Sequence, residues 1–248
     1  MHIIERPGTG TVAVCIHGFC QSSLFWAPTL DRLADAGIAG MAPDLPGFGH
    51  SADLPGPWTL EAYADGIAAL LDRRGLDRVS VVGGSMGGAV AQHFALRHPA
   101  RVARLLLVAT GPFTGDPAAA LAKADQMAAA DWDDALIESM VAGYFHRPQP
   151  AAALAAYRGV VGMANRTAAV AAARSNALGR TLERLGEITA PTLIIQGRHD
   201  KARTPEHGAE MAARIPGARL VVLEGSGHTP QIEEPDAVLA VAVPFLKG

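Results

Sequence analysis

The chain has 248 residues, with 21 Lys and Arg against 24 Asp and Glu, a formal charge of −3. That length suits one large domain or a domain with an insertion, and burying roughly 73% of the unfolded surface provides a sizeable core without metal or disulfide staples. Apolar residues at 49% and charged ones at 18% exclude intrinsic disorder, and the balanced charge removes any general reason to bind nucleic acid or an anionic membrane.

Residues 1–16 carry Glu5, Pro7 and two glycines, and their apolar stretch is too short for a signal peptide. Residues 7–30 have no Asp, Glu, Lys or Arg, but glycines, prolines and polar residues interrupt them, so no membrane span is read there. Two cysteines cannot build a disulfide scaffold or a zinc site. Cys15 falls in an apolar run and reads as a core thiol, Cys20 follows in a loop, and a bridge between them would distort the strand. A reducing compartment, the cytoplasm, is therefore expected.

Short apolar runs at 12–16, 40–42, 79–82, 105–109, 193–195 and 220–223 read as strands buried on both faces, as in a parallel sheet. Between the second and third, Leu60, Tyr63, Ala64, Ile67, Leu70 and Leu71 recur at helical spacing, with Glu61, Asp65 and Asp72 on the water side. This repeated alternation predicts a doubly wound, mostly parallel α/β fold. Residues 113–188 break the rhythm: they hold no strand candidate, are rich in alanine, and carry an apolar stripe of Leu136, Ile137, Met140, Val141 and Tyr144. They read as a helical insertion over the sheet, with residues 1–112 and 189–248 forming the core.

The third run leads into Gly83-Gly84-Ser85-Met86-Gly87-Gly88 and then a helical stretch. A Gly-x-Ser-x-Gly turn between strand and helix leaves no room for side chains beside the serine, projects its hydroxyl, and aims the next backbone N–H at the same spot. With 27 glycines and 8 serines, chance alone yields the pattern about 0.1 times in such a chain, so it is the placement that makes it informative.

A serine hydroxyl needs a base. Nine histidines compete, and His228 stands out just beyond the last strand in Gly227-His228-Thr229-Pro230, where a loop can bring an imidazole over Ser85. His17 reads as shaping its loop, His93 and His98 as belonging to the helix behind the serine, and His50, His146, His199 and His207 as surface or loop residues. Asp200, after the penultimate strand, fits the order serine, acid, histidine. Asp44 is a distant second, embedded in a structural turn, and Glu224 reads as solvent-facing. For the oxyanion, the Met86 N–H follows the nucleophile, and the Phe19 N–H is the best candidate in the loop after the first long strand.

These pieces together resemble the α/β-hydrolase fold superfamily over nearly the whole chain: His17-Gly18-Phe19 with Trp26, residues 44–51, residues 83–88, Gly197 to Asp200 with Pro205, and His228 with Pro230, Glu233 and Pro235. The resemblance implies a triad of Ser85, Asp200 and His228, oxyanion amides from Phe19 and Met86, and a helical cap at 113–188. It is similar in look to small cofactor-free esterases, enol-lactonases and bacterial cofactor-free haloperoxidases, and a serine at the elbow disfavours the dehalogenase and epoxide hydrolase branches. No cofactor is implied. The leading expectation is hydrolysis of a carboxylic ester or lactone with an apolar acyl group. Carbon–carbon bond hydrolysis, acyl transfer, lyase chemistry and slow-turnover ligand sensing are the alternatives.

Four further expectations follow. Trp132, Tyr144, Phe145 and Met163 are too large for the insertion to bury within itself and are assigned to the pocket. The Arg198, Lys201 and Arg203 group near the acid reads as a solvated loop rather than an anion site. Only about ten residues precede the first long strand, so the sheet is expected to lack a strand or two at that edge, and Pro244 is expected to bend the last turn of the final helix.

Overall fold

The computed structural model describes residues 1–112 and 115–248. Among these residues seven strands form one sheet: β1 (Ile3–Arg6), β2 (Thr9–Ile16), β3 (Ile38–Pro43), β4 (Val79–Gly84), β5 (Val102–Val108), β6 (Thr192–Gly197) and β7 (Arg219–Leu223). Their order is β1-β3-β2-β4-β5-β6-β7, and every neighbouring pair is parallel except β1 with β3. The six expected runs are all strands, each longer at one or both ends or shifted by a residue.

At the N-terminal edge a single short strand precedes β2, in keeping with the shortened edge expected there. Ile3–Arg6 forms an antiparallel edge strand, with Ile3 opposite Pro43 and Arg6 opposite Gly40. Two residues suffice to link it to β2 because the chain crosses close over β3: a Cβ on Gly8 would lie 2.1 Å from the Ala39 nitrogen. An edge strand with one wet face needs few apolar residues, so four residues with Glu5 and Arg6 carried no signal of the buried-strand kind.

Strand side chains alternate between two apolar layers. Val14, Ile16, Val81, Leu105, Leu107 and Ile194 face one, and Ala13, Cys15, Val82, Leu106, Val108, Leu193 and Ile195 the other. The first layer is closed by α2 (Leu60–Arg73), α3 (Met86–Arg97) and α8 (Pro205–Arg214), the second by α1 (Ala27–Asp35) and α10 (Pro235–Lys247). Each fully buried Leu, Ile, Val or Phe contributes about 1.5–3 kcal/mol relative to exposure, so this two-sided burial is the dominant stabilisation. Helix α10 continues through Pro244 to Lys247. Helix α2 buries the six expected residues, and the Thr59 hydroxyl caps it by accepting from the Ala62 N–H. Asp65 does not simply face water: it takes a bidentate pair from Arg97 at 2.9 and 2.6 Å and contacts His98, tying α2 to the end of α3. The Arg97 guanidinium holds its carboxyl below the usual carboxylate range.

Between β5 and β6 come α4 (Pro117–Ala129), α5 (Asp134–Ala142), α6 (Ala151–Gly162) and α7 (Arg166–Leu178), then a 3₁₀ stretch, Leu182–Glu187. Phe113, the first residue of the interval expected to be helical, lies outside the described residues. Asp116, Asp133 and Asn165 cap α4, α5 and α7 with their side chains. Helix α4 packs on α7 and α5 on α6. An aromatic cluster fixes this layer to the sheet side: Phe25 stands edge-on to Tyr144 at 5.5 Å and 4.4 Å from Tyr157, which in turn lies 5.4 Å from Phe145. The short helix α9 (Pro230–Glu233) precedes α10.

Candidate active site

Strand β4 ends in glycines and hands over to α3 through Ser85, whose backbone sits at φ 53°, ψ −120°. A non-glycine residue there costs on the order of 1–3 kcal/mol and must be held by its surroundings. It is: the Ser85 N–H donates to the Val108 carbonyl at 3.0 Å, and the Thr110 hydroxyl donates to the Ser85 carbonyl at 2.8 Å. The flanking glycines are obligatory because a Cβ on Gly87 would lie 2.2 Å from the Ile16 carbonyl oxygen, and one on Gly83 would lie 2.3 Å from that of Gly87.

Three side chains from three loops meet at this turn. His228 places Nε2 2.8 Å from Ser85 Oγ, and its Nδ1 is 2.7 Å from Asp200 Oδ2. The Asp200 side chain is fully buried and that of His228 is 13% exposed. The other oxygen of Asp200, Oδ1, accepts from the Ala202 and Arg203 N–H groups at 2.8 and 2.9 Å. A hydroxyl on an imidazole on a buried carboxylate can move a proton off the hydroxyl and stabilise the imidazolium that results. Asp44, the distant second candidate for the acid, is buried elsewhere and accepts from the Ser23 and His50 N–H groups at 2.6 and 2.8 Å, a turn-holding role.

The loop after β2 stands opposite. Met86 is the first residue of α3, so its N–H is among those a helix leaves unsatisfied. Phe19 lines the same cavity as Ser85. Its loop is fixed by side chains: the Gly18 N–H donates to Gln21 Oε1 at 2.9 Å, and His17 bonds the Gly18 carbonyl through Nδ1 while Nε2 accepts from the Leu45 N–H. Burial pushes the His17 pKa down, which keeps the ring neutral and its Nε2 an acceptor. His93 faces Glu61 and His98 faces Asp65, away from the serine.

A cavity of about 630 Å³ opens over Ser85 and His228. Phe19 and Gln21 line its floor, and α4 and α5 with the turn after them supply Met127, Leu136, Met140 and Tyr144. Of the four large residues assigned to the pocket, Tyr144 lines this cavity and Phe145 an adjoining one. Trp132 and Met163 line neither. Trp132 packs on the core with its Nε1 donating to the Met127 carbonyl, and Met163, at the end of α6, is 39% exposed. Residue volume alone does not tell which side of a helix meets the site.

Two ties between the helical layer and the site were not read from sequence. The Tyr144 hydroxyl donates to the Phe19 carbonyl at 2.9 Å, and the Thr229 hydroxyl donates to the Tyr144 carbonyl at 2.9 Å. The Glu233 carboxylate, 8% exposed, accepts from His146 and Arg147 N–H with Oε2, and from Gly227 N–H with Oε1 at 3.0 Å. Oε1 also lies 3.3 Å from the nitrogen and the hydroxyl of Thr229. One side chain thus holds both residues flanking His228 and the segment after α5. The only sequence signal was an acid five residues after the histidine. Among the described residues no group of three or more His, Cys, Asp or Glu side chains is arranged to hold a metal ion, and no helix is long and apolar enough to cross a membrane.

A sequence profile of the alpha/beta hydrolase fold matches residues 12–235. The chain belongs to this family. Over 260 aligned residues it is 33% identical to a pimeloyl-(acyl-carrier protein) methyl ester esterase of Aromatoleum aromaticum, covering 95% of this chain and 98% of the relative. Among solved structures it is similar to an enol-lactonase of Burkholderia xenovorans, with a TM-score of 0.90 and 27% identity over 100% of this chain and 96% of that one. An esterase of Thermogutta terrifontis gives 0.90 and 29% over 99% and 92%. The order of the three polar residues along this alpha/beta hydrolase chain, serine then acid then histidine, is the one the family fold uses to bring them to one edge of the sheet.

Proposed function

We propose that the chain is a serine hydrolase that cleaves a carboxylic ester or lactone through an acyl-enzyme. The observation that carries this reading is the unbroken relay of Ser85, His228 and Asp200 at 2.8 and 2.7 Å, with Ser85 and His228 lining a largely apolar cavity. Ser85 Oγ attacks the carbonyl while His228 Nε2 takes its proton, and Asp200 keeps Nδ1 protonated and balances the imidazolium. The developing oxyanion is met by the N–H groups of Met86 and Phe19. His228 then delivers the proton to the leaving alcohol, and water, activated by the same imidazole, releases the acid. The esterase and lactonase activities named for similar proteins support the same substrate class.

An organophosphonate should form one adduct with the wild type and none with Ser85→Ala, read by intact mass. Labelling that persists in the variant would refute the nucleophile. A panel of esters, thioesters, lactones and β-diketones assayed with both proteins then fixes the class.

In this reading residues 113–188 act as a cap over a core of residues 1–112 and 189–248, and the acyl chain of a small apolar substrate lies along Met127, Leu136 and Met140. Losing contact with one methylene shifts discrimination by about 1–3 kcal/mol. Leu136→Ala and Met140→Ala should therefore each change the ratio of kcat/KM between long and short acyl esters by about tenfold or more. Unchanged chain-length profiles in both would remove the acyl group from this wall. Cys15 and Cys20 are buried and unbridged, and burial pushes the Cys15 thiol pKa up to about 12. Such thiols fit a reducing compartment such as the cytoplasm.

A further inference from the structure

The cavity over Ser85 is not uniformly apolar. Lys123 on α4 is the single Lys, Arg, Asp or Glu among its described lining residues. A second cavity of about 510 Å³ adjoins it, sharing Lys123, Gly143, Ala202 and His228, and continues to His146, His199, Lys201 and Asp200. Lys123 therefore stands at the junction of the two.

Every charge offered to a ligand at this junction is of one sign. The Asp200 side chain is fully buried and engaged by His228 and two backbone N–H groups. Of the acids on the same helices, Asp125 pairs with Arg174 and Glu138 with Arg158, each at 2.6 Å, and Asp134 is exposed at the start of α5 and lines neither cavity. No carboxylate among the described residues pairs with Lys123. Of the three cations near the acid, Arg198 is paired with Glu224, and Arg203 donates to the Ala202 carbonyl, leaving Lys201 to line the second cavity. Two lysines facing a concavity with apolar walls focus a positive potential into it. An apolar wall leading to an ammonium matches a chain that is aliphatic along its length and anionic at its end.

We propose that this pocket takes an ester whose acyl chain ends in a carboxylate, with Lys123 receiving the carboxylate and Met127, Leu136 and Met140 the methylenes. The inference rests on the ester-hydrolase reading of the same pocket. It names the substrate class: monoesters of aliphatic dicarboxylic acids.

The test compares monomethyl suberate, which carries the terminal carboxylate, with methyl octanoate, which does not. Turnover is measured with the wild type, Lys123→Met and Lys247→Met, the last removing a distant surface charge of the same sign. Binding of both esters is measured by calorimetry on Ser85→Ala with and without Lys123→Met, which needs no turnover. The preference for the charged ester, as a ratio of KM or Kd values, should fall about fivefold on Lys123→Met, the scale of one partly exposed ion pair, and not on Lys247→Met. Raising salt from 0.01 to 1 M, which shortens the screening length from about 30 to about 3 Å, should erase the same preference. A ratio equal in the wild type and Lys123→Met, or no detectable binding of monomethyl suberate to Ser85→Ala, overturns the proposal. Hydrolysis of both esters without that preference leaves the hydrolase reading standing and removes the carboxylate site. A Lys123-dependent binding preference without hydrolysis of either does the reverse.

Discussion

Asp200→Asn should keep the fold and lower kcat on the order of 10⁴-fold, about 5.4 kcal/mol of transition-state stabilisation at 1.36 kcal/mol per decade. The geometry dictates the direction. Oδ1 of Asp200 already accepts from two backbone N–H groups, Ala202 and Arg203. An asparagine keeps those bonds only if its carbonyl oxygen takes that side, which turns its NH₂ toward Nδ1 of His228. The ring must then accept at Nδ1 and carry its proton on Nε2, so it no longer accepts from Ser85 Oγ. Turning the amide the other way aims NH₂ at the two part-buried backbone donors, which repels them and gives up both hydrogen bonds, about 0.5–1.5 kcal/mol each. Hydrolysis of a nitrophenyl ester and a thermal melt of the variant check both halves. Near-normal kcat with an intact fold would mean that Ser85 and His228 work without the acid.

The parts of this site legible in the sequence are those with a local cause. Strands buried on both faces announce themselves by continuous Val, Ile and Leu, as in β5 and β6. The elbow announces itself because Gly83 and Gly87 answer a steric demand within a few residues of Ser85. His228 and Asp200 could be placed because each follows a strand of the parallel sheet, and a parallel sheet gathers such loops at one edge. What escaped depends on contacts between distant segments. Ile3–Arg6 is too short and too polar to be read as a strand, yet the open edge of β3 supplies its partner. Met127 and Met140 outrank Trp132 and Met163 in the pocket because of how α4 and α5 are rotated over the sheet, and an alanine-rich amphipathic pattern fixes that rotation weakly. Asp65 looked solvent-facing by periodicity, but Arg97, 32 residues on, reaches it. Glu233 was visible as a residue in a pattern, and its partners at 146 and 147, in a segment 86 residues away, were not.

Glu233→Gln should destabilise the protein by about 2–4 kcal/mol and lower kcat on the order of 10²-fold, with a smaller effect on KM. The carboxylate offers acceptors in two directions, to the His146 and Arg147 N–H groups through Oε2 and to the residues flanking His228 through Oε1. Glutamine matches its shape but replaces one acceptor with a donor, so one pair of N–H groups faces an NH₂. If the amide keeps the Gly227 side, the segment after α5 is released, and Tyr144 with it loosens its hold on the Phe19 carbonyl. Keeping the side of the segment after α5 instead leaves the His228 loop without its anchor. Either way a catalytic group moves, and a misplacement of about 1 Å is enough for a hundredfold loss. A second carboxylate, Glu234, still accepts from the Gly225 N–H, so the loop is loosened rather than unfolded. Leu71→Ala, at a fully buried position of α2 that lines neither cavity, provides a comparison of similar or greater thermodynamic cost, about 2–5 kcal/mol. Urea unfolding, kcat and KM measured on both variants at a temperature where both are folded separate the two roles. A general loss of stability lowers neither rate when the protein is folded, so Leu71→Ala should retain kcat while Glu233→Gln loses it. Equal kcat values in the two variants would reduce Glu233 to a structural brace, and positioning of His228 would have to come from Asp200 and Thr229 alone.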